Sequence, residues 1–234
     1  MPPLGAHGPV VEIIVGASTP PRSTAAAIEL AGQLRATPIV VRGQSVLQRL
    51  IGAYRDEGAA LRRDGVGPAL IENVARQAGF THGPLSDAIR GDAVDAPGVA
   101  PDVAASAGAL PADTPAPPAA LGKSEQRPTP STAAASSAAD VRQRLLYSQA
   151  LEAMRCHDDG LVVHAIDADL LGVLGAGYPS WTGGPLSYIE TVGLPAFVES
   201  CDRLSVSHGE RFRPSVALRR RALDGFGFHR PSGE

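Results

Sequence analysis

The run Cys156-His157-Asp158-Asp159 places four side chains of metal-ligating type next to one another. Thiolate, imidazole and carboxylate groups are the usual protein ligands of zinc and related ions. The run directly precedes Gly160, where a helix is expected to end, and a cationic histidine is ordinary near the negative end of a helix dipole. A helix terminus is therefore favoured over a metal site, and the same holds for His164, Asp167 and Asp169.

Three consecutive arginines, Arg219-Arg220-Arg221, form a second group that could bind a ligand. They fall near the C-terminal end of a predicted helix, where positive charge is stabilising in itself. A solvated helix end is favoured, and a phosphate contact is the alternative. Cys201 lies on the apolar stripe of another helix and is expected in the core.

Two loops rich in glycine and proline occupy residues 79–85 and 175–186, and both end in Gly-Pro-Leu. Glycine permits positive φ and close backbone approach, and proline stiffens the chain. A glycine-rich loop is a weak functional signal by itself. The favoured interpretation of the second loop is a structural corner with a buried Trp181.

The helices that position these loops occur twice. A shift of 95 positions places the segment that begins at Arg49 on the segment that begins at Arg144. Further landmarks then coincide, namely Glu57 with Glu152, Gly65 with Gly160, and Ile71 with Ile166. Each copy has the pattern of helix, glycine, helix and loop. Two copies are too few for a solenoid, so we expect a pseudo-twofold pair of helical hairpins packed face to face.

The second copy shows the helical pattern most clearly. Its first helix carries a predicted core stripe of Leu145, Leu146, Gln149, Ala150, Ala153 and Met154. Gly160 is placed to end this helix in the left-handed conformation. The next helix is expected to continue the stripe through Ile166, Leu170, Leu171 and Leu174.

The N-terminal part has the pattern strand, helix, strand. Val10 to Val15 is apolar and β-branched, Pro20-Pro21 suits the first turn of a helix that runs to about Leu34, and residues 38–41 form a second strand. This helix is expected to bury Ala27, Ile28, Ala31 and Leu34. A unit of this size cannot cover both faces of a sheet, and its open edge would invite association.

Four regions follow from these patterns. Residues 1–42 are interpreted as the remnant of a larger α/β domain, 43–90 as the first helical repeat and 140–230 as the second. Residues 91–139 lack Phe, Tyr, Trp and Ile and are rich in Ala, Pro and Ser. Such a segment buries too little apolar surface to offset its ordering entropy, so we predict a disordered linker. The predicted fold class is mainly α, a duplicated helical domain preceded by a β-α-β unit.

Composition excludes several classes of protein. The net charge of −3 argues against nucleic-acid binding. Two cysteines do not make a disulfide framework. The sequence has no secretory leader and no run of 18 apolar residues, so we expect a cytoplasmic protein without a membrane span.

Residues 177–193 read Gly-Tyr-Pro-Ser-Trp-Thr-Gly-Gly-Pro-Leu-Ser-Tyr-Ile-Glu-Thr-Val-Gly, and His208-Gly209 precedes Phe212-x-Pro214. The first segment is similar to the Gly-Phe-Pro-x-x-x-Gly-Gly-Pro signature of the multifunctional α subunits of fatty-acid β-oxidation. The second segment resembles the closing segment of the same subunits. With the order of strands and helices, the chain resembles the C-terminal region of the 3-hydroxyacyl-CoA dehydrogenase family over about 10–90 and 140–228.

The resemblance implies a Rossmann-type domain that holds NAD, and a helical domain that covers acyl-CoA and makes oligomer contacts. It implies a His–Glu pair that removes the hydroxyl proton while hydride passes to the nicotinamide. The glutamate of that pair corresponds to Glu12. The substrate-side asparagine of the family corresponds to Gln48.

The chain departs from the family at two essential points. The histidine would fall before Met1, and His7 does not occupy its place. No Gly-x-Gly-x-x-Gly loop follows a strand. Loss of a general base lowers the rate roughly 10²- to 10⁴-fold. Loss of the site that holds the hydride acceptor removes the advantage of orienting the two reactants, which corresponds to an effective molarity on the order of 10⁵ to 10⁸ M.

We therefore predict that the chain alone is inactive and binds neither NAD nor a metal. Its expected partners are acyl-CoA and either a further copy of itself or a second β-oxidation subunit. The alternative is a non-catalytic module for acyl-CoA binding or subunit assembly. Glu12 has its own alternative interpretation, a solvated strand glutamate without a catalytic partner.

Overall fold

The computed structural model describes residues 9–86 and 137–229. The first part contains β1 Val10–Val15, α1 Pro21–Gln33, β2 Thr37–Arg42, α2 Val46–Arg63 and α3 Pro68–Ala78. The second contains α4 Ala138–Asp158, α5 Ala165–Leu170, a π-helical turn Leu171–Gly175, a 3-10 turn Ser180–Thr182, α6 Pro185–Val192, α7 Leu194–His208, a 3-10 turn Glu210–Phe212 and α8 Val216–Asp224. The predicted fold class, mainly α with a β-α-β unit at its start, is confirmed.

The predicted linker lies largely outside the described residues. Its last part is helical, because α4 already begins at Ala138. The Ser137 hydroxyl accepts a hydrogen bond of 3.1 Å from the Asp140 N–H and caps this helix. α4 therefore begins two residues before residue 140, and the bounds of the linker and of the second repeat stay predictions.

β1 and β2 pair in parallel, with Glu12 opposite Ile39, and α1 makes the connection between them. The predicted burial of Ile28 and Leu34 on α1 is wrong, since these side chains are 40% and 66% exposed. Val11 and Ile14 of β1 and Leu30 of α1 are exposed as well. The sequence period of α1 did not reveal this, because the helix has little within the described chain to pack against besides the two strands.

The inner side of the β-α-β unit meets the helices. Ile39 and Val41 of β2 are buried in the same apolar core as Val46 and Leu50 of α2. The Arg42 N–H donates a hydrogen bond of 2.8 Å to the carbonyl of Leu161, in the second repeat. The domain boundary between residues 42 and 43 stays a prediction, and these contacts identify what a truncation there would expose.

The first helix of each repeat ends in the same way. Gly65 and Gly160 have positive φ of 86° and 71°. The N–H groups of Gly65 and Val66 bond to Arg62 and Leu61, and those of Gly160 and Leu161 bond to His157 and Cys156. Both ends are Schellman motifs, and the predicted role of Gly160 is confirmed.

The predicted stripe of α4 is buried at all six positions. The stripe predicted for the following helix is only partly correct, because Ile166 is 55% and Leu174 is 38% exposed whereas Leu171 is fully buried. Ile166 lies on the exposed side of α5, whereas for Leu174 the reason is the π-helical turn at Leu171–Gly175. Its wider hydrogen-bond spacing rotates the residues that follow out of the α-helical phase.

Candidate functional site

Glu12 reaches from β1 to the first turn of α2. Its Oε1 accepts hydrogen bonds from the backbone N–H groups of Val46, at 2.7 Å, and Leu47, at 3.1 Å. Its Oε2 accepts a hydrogen bond from the Ser45 hydroxyl. A carboxylate is favourable here, because the unpaired N–H groups of a helix start carry partial positive charge. Glu12 is half-buried, so it is not the solvated strand residue of the alternative interpretation.

Gln48 lies in the same turn of α2. Its backbone N–H donates to the Ser45 hydroxyl oxygen at 3.0 Å, and its side chain is exposed. The structure thus brings the two sequence-predicted residues, Glu12 and Gln48, to one helix start through Ser45. Their roles in catalysis and substrate binding stay predictions.

The second repeat also contacts this helix start. A side chain at Gly175, in the π-helical turn, would contact Leu47 and approach Val10 to 3.2 Å. β1, α2 and the π-helical turn therefore meet around Glu12, and Gly175 is needed there for close approach. This contact could not be predicted from the residues, since a π-helical turn has no sequence pattern comparable to the helical period.

A cleft of about 310 Å³ runs along one face of α2, from Gly52 to Arg62. Residues 84–86 of the first Gly-Pro-Leu loop form its other wall. Gln48 precedes Gly52 by one helical turn and lies on the same face of α2. Arg55 and Arg62 supply positive charge to the cleft, and Asp56 supplies negative charge.

Ion pairs between α2 and α4 hold this helix in place. Arg49 of α2 contacts Glu152 at 2.6 Å and Asp159 at 3.3 Å. Arg144 of α4 contacts Glu57 at 2.6 Å and Asp64 at 2.8 Å. The start of each helix meets the end of the other, so the two helices are antiparallel.

The pair formed by Arg144 and Glu57 is more deeply buried than the pair formed by Arg49 and Glu152. The side chains of Arg144 and Glu57 are 0% and 1% exposed. Arg211, in the 3-10 turn after α7, adds a second guanidinium to Glu57 at 2.5 Å. The sequence marks four residues as landmarks of the duplication, and their positions in the helical pattern already indicate charge inside the expected interface: Arg49, Arg144, Glu57 and Glu152.

Each Gly-Pro-Leu loop is held by a carboxylate from the second helix of its own repeat. Leu85 donates its N–H to Glu72 at 2.8 Å, and Leu186 donates its N–H to Asp169 at 2.7 Å. A side chain at Gly184 would overlap that of Asp169. This close approach is what the glycine of the loop permits.

The two loops also contact each other. Phe80 of the first loop packs edge-to-face with Tyr178 of the second, with ring centroids 5.7 Å apart. The Thr81 N–H donates to the carbonyl of Gly177 at 3.0 Å. The predicted burial of Trp181 is wrong, because its side chain lies on the surface over the end of α3 and is 56% exposed.

The run Cys156–Asp159 ends α4 as a helix terminus. Burial raises the pKa of the Cys156 thiol to about 12, and the His157 ring bonds to the carbonyl of Val162 at 3.2 Å. Burial lowers the pKa of His157. Within residues 9–86 and 137–229, no three His, Cys, Asp or Glu side chains are grouped as metal ligands.

The three arginines of α8 all face carboxylates. Arg219 pairs with Asp202 through two hydrogen bonds, Arg220 lies 3.6 Å from Asp224, and Arg221 lies 4.0 Å from Asp158. These pairs favour a helix end stabilised within the chain over the alternative phosphate contact. Of the helices that the structure describes, none is both long and apolar enough to cross a membrane.

No protein-family model matches the chain. It is 26% identical to the fatty acid oxidation complex subunit alpha of Shewanella sp. (strain MR-7), over 92% of this chain and 35% of that protein. The subunit alpha of Shewanella frigidimarina is 27% identical, over 95% of this chain and 35% of its own length. That of Vibrio cholerae is 37% identical over 36% of this chain.

The chain thus spans about a third of the length of the first two relatives. Its resemblance to the multifunctional α subunits, seen first in the loop motif, is confirmed along nearly the whole sequence.

Proposed function

We propose that this chain is a helical domain of a 3-hydroxyacyl-CoA dehydrogenase-like protein of fatty-acid β-oxidation. The observation that carries the proposal is the similarity to fatty acid oxidation complex α subunits over 92% of the chain. The domain acts together with a dinucleotide-binding domain and is inactive without it. NAD, held by that other domain, would accept the hydride.

Glu12 is the residue we assign to proton transfer. A carboxylate offers about four acceptor positions, and three hydrogen bonds from Ser45, Val46 and Leu47 occupy Glu12. One position is left for the N–H of an imidazole. A histidine oriented in this way removes a hydroxyl proton, and the negative charge of Glu12 stabilises the imidazolium that forms. This histidine would have to come from outside the present sequence.

Gln48 and the cleft on α2 are the parts we assign to acyl-CoA. The Gln48 amide can donate to a substrate oxygen and is held on the first turn of α2, close to Glu12. The cleft that follows it has a volume in the range of small-molecule sites. The guanidinium groups of Arg55 and Arg62 suit the phosphates of coenzyme A.

The second candidate is a non-catalytic module for acyl-CoA binding or subunit assembly. The described sheet has only β1 and β2, and this favours the second candidate, since an unpaired sheet edge with exposed apolar side chains such as Ile14 and Leu30 invites association. The occupant of this edge would be a second β-oxidation subunit or another copy of the chain. In either case we place the protein in the cytoplasm.

Titration calorimetry with a 3-hydroxyacyl-CoA tests the assignment of the cleft. We expect binding by the chain alone, weakened about tenfold or more when Arg55 and Arg62 are both replaced by Ala. The matched control is Arg203→Ala on α7, whose exposed guanidinium pairs with Glu199 and which should leave the affinity unchanged. Absence of binding, or equal affinity in all three proteins, would remove acyl-CoA from the proposal.

A further inference from the structure

The segment that follows α8 folds back over the second repeat and is held there by Glu190 of α6. The backbone N–H groups of Phe228 and His229 both donate to Glu190 Oε1, the second of them at 3.1 Å. A side chain at Gly227 would overlap Glu190, so the backbone lies directly against this carboxylate. We call residues 227–229 the clasp.

Phe228 anchors the clasp in the apolar core, where its side chain is 7% exposed. The rings of Phe228 and His157 meet edge-to-face with centroids 5.9 Å apart, and the Arg221 guanidinium lies 5.0 Å from the centre of the Phe228 ring. The clasp therefore joins α6 to the end of α4 and to α8.

His229 faces a carboxylate with each nitrogen of its ring. Nε2 lies 2.9 Å from Asp169 Oδ2, and Nδ1 lies 3.1 Å from Glu190 Oε2. An ionised carboxylate only accepts hydrogen bonds, so both contacts are hydrogen bonds only when both ring nitrogens carry a proton. A neutral ring keeps one N–H, and its other nitrogen then directs a lone pair at a carboxylate oxygen.

Asp169 meets this ring from α5 and is 1% exposed. Burial raises the pKa of Asp169, and the hydrogen bonds from Ser187 and Leu186 act in the opposite direction. A buried ionised carboxylate needs a positive partner, and the His229 imidazolium supplies it. At acid pH, where Asp169 takes up a proton, that attraction is lost.

Two further groups that carry or can gain positive charge lie near the clasp. Burial lowers the pKa of His157 on α4, so its ring is neutral in the range where His229 is charged. Arg221 of α8 repels an imidazolium, but it lies 4.0 Å from Asp158, which offsets its charge. The two carboxylates in direct contact with His229 therefore outweigh the positive charge around it.

We propose that the clasp is a pH-sensitive fastening of the second repeat, closed while His229 is an imidazolium and released as its ring loses the proton. A free histidine changes charge between about pH 5 and 8. The proton stabilises the closed state, so closure is favoured below this range and weakens as the pH rises through it. Release exposes Phe228 and leaves Asp169 bound to the Gly-Pro-Leu loop alone.

Hydrogen exchange of the full-length protein, resolved by NMR at pH 5.5 and pH 8, tests the proposal. The probes are the backbone N–H groups of Phe228 and His229, with each rate divided by the intrinsic rate at the same pH to give a protection factor. The N–H groups of α3 serve as the internal reference. His229→Gln keeps a donor for one carboxylate but cannot become charged, and the matched control His164→Gln changes an exposed histidine of the same repeat.

We expect the protection factor of Phe228 to fall about threefold or more from pH 5.5 to pH 8, relative to α3, in the wild type and in His164→Gln. In His229→Gln it should be low at both pH values. Equal protection at the two pH values in the wild type, or the same fall in His229→Gln, would overturn the proposal.

The nitrogen chemical shifts of the His229 ring give a check that needs no variant. We expect the ring to lose its proton over the same pH range in which the protection of Phe228 falls. A ring that is already neutral at pH 5.5, or a loss of the proton that leaves the protection of Phe228 unchanged, would contradict the proposed fastening.

Discussion

The indole N–H of Trp181 donates a hydrogen bond of 2.7 Å to the carbonyl oxygen of Ala78. Ala78 ends α3 in the first repeat, and Trp181 belongs to the loop of the second. The bond therefore satisfies one carbonyl at the end of a helix with a donor from the other repeat. The ring remains largely exposed because this contact uses only its edge.

Trp181→Phe removes that donor and keeps an aromatic ring. We expect the free energy of unfolding to fall by about 1 kcal/mol, the usual net value of a hydrogen bond. Urea unfolding followed by circular dichroism measures this, because Trp181 is the only tryptophan and its fluorescence is lost in the variant. Phe226→Leu is the control, since Phe226 is 57% exposed; an equal loss in both variants would show that the bond contributes nothing.

Glu57→Gln leaves the buried guanidinium of Arg144 without its charged partner. Breaking one side of a buried pair costs about 3–5 kcal/mol, and Arg211 loses its carboxylate as well. Glu199→Gln breaks the exposed pair with Arg203 and should cost no more than about 0.5 kcal/mol. Denaturant midpoints that differ little between the two variants would contradict the description of the α2–α4 interface.

Gly184→Ala tests the close approach of the second Gly-Pro-Leu loop to Asp169. Gly184 has φ 131° and ψ 172°, a region that costs other residues about 1–3 kcal/mol, and the new methyl group would overlap Asp169. Gly52→Ala on α2 is the opposite case, because nothing lies within 4 Å of the added atom. For Gly52→Ala we expect the free energy of unfolding to rise by about 0.5–1 kcal/mol. Thermal melting temperatures that shift in the same direction for both variants would contradict the close approach of Gly184 to Asp169.

The buried cysteines give the protein a pH dependence on the alkaline side. Burial raises the pKa of both Cys156 and Cys201 from 9.0 to about 12. Between pH 9 and 12 the unfolded chain has lost these protons while the folded chain retains them. Stability that is fully present below pH 9 is therefore lost as pH rises, by at most about 1.4 kcal/mol per thiol per pH unit.

Urea unfolding at pH 8 and pH 10 measures this loss. The comparison protein carries Cys156→Ala and Cys201→Ala, and its absolute stability is lower because of the cavities. Its decline between the two pH values should be smaller than that of the wild type. An identical decline in the two proteins would show that the pH dependence of stability arises from groups other than these two thiols.

The sequence predicted the parts of this fold that follow from local rules. The strands, the paired helices, the glycine at the end of α4 and its buried stripe each depend on periodicity or on a residue type with a restricted backbone. The predictions of burial are wrong where contacts with another part of the fold, and not the local sequence pattern, determine how exposed a side chain is. The structural-corner interpretation of the second loop predicts a buried Trp181, but the side chain lies at the surface, where it donates a hydrogen bond to the first repeat.

The candidate site shows the same division. The resemblance located Glu12 and Gln48, but not the chain of hydrogen bonds through Ser45 that joins them. That relationship depends on the packing of β1 against the start of α2, which no spacing along the chain encodes. The reciprocity of Arg49 and Arg144 was likewise present in the duplication, yet only the antiparallel packing of α2 and α4 pairs them with Glu152 and Glu57.

The most direct test of the proposed function measures NADH formation from a 3-hydroxyacyl-CoA. The chain is assayed alone and after fusion, at its N-terminus, to a dinucleotide-binding domain of the dehydrogenase family that supplies the histidine. We expect no turnover above the no-enzyme control from the chain alone. The fusion should show turnover that falls at least about 10²-fold with Glu12→Gln and not with Glu199→Gln. Turnover by the chain alone, or a folded fusion that binds NAD but is indifferent to Glu12→Gln, would contradict the account.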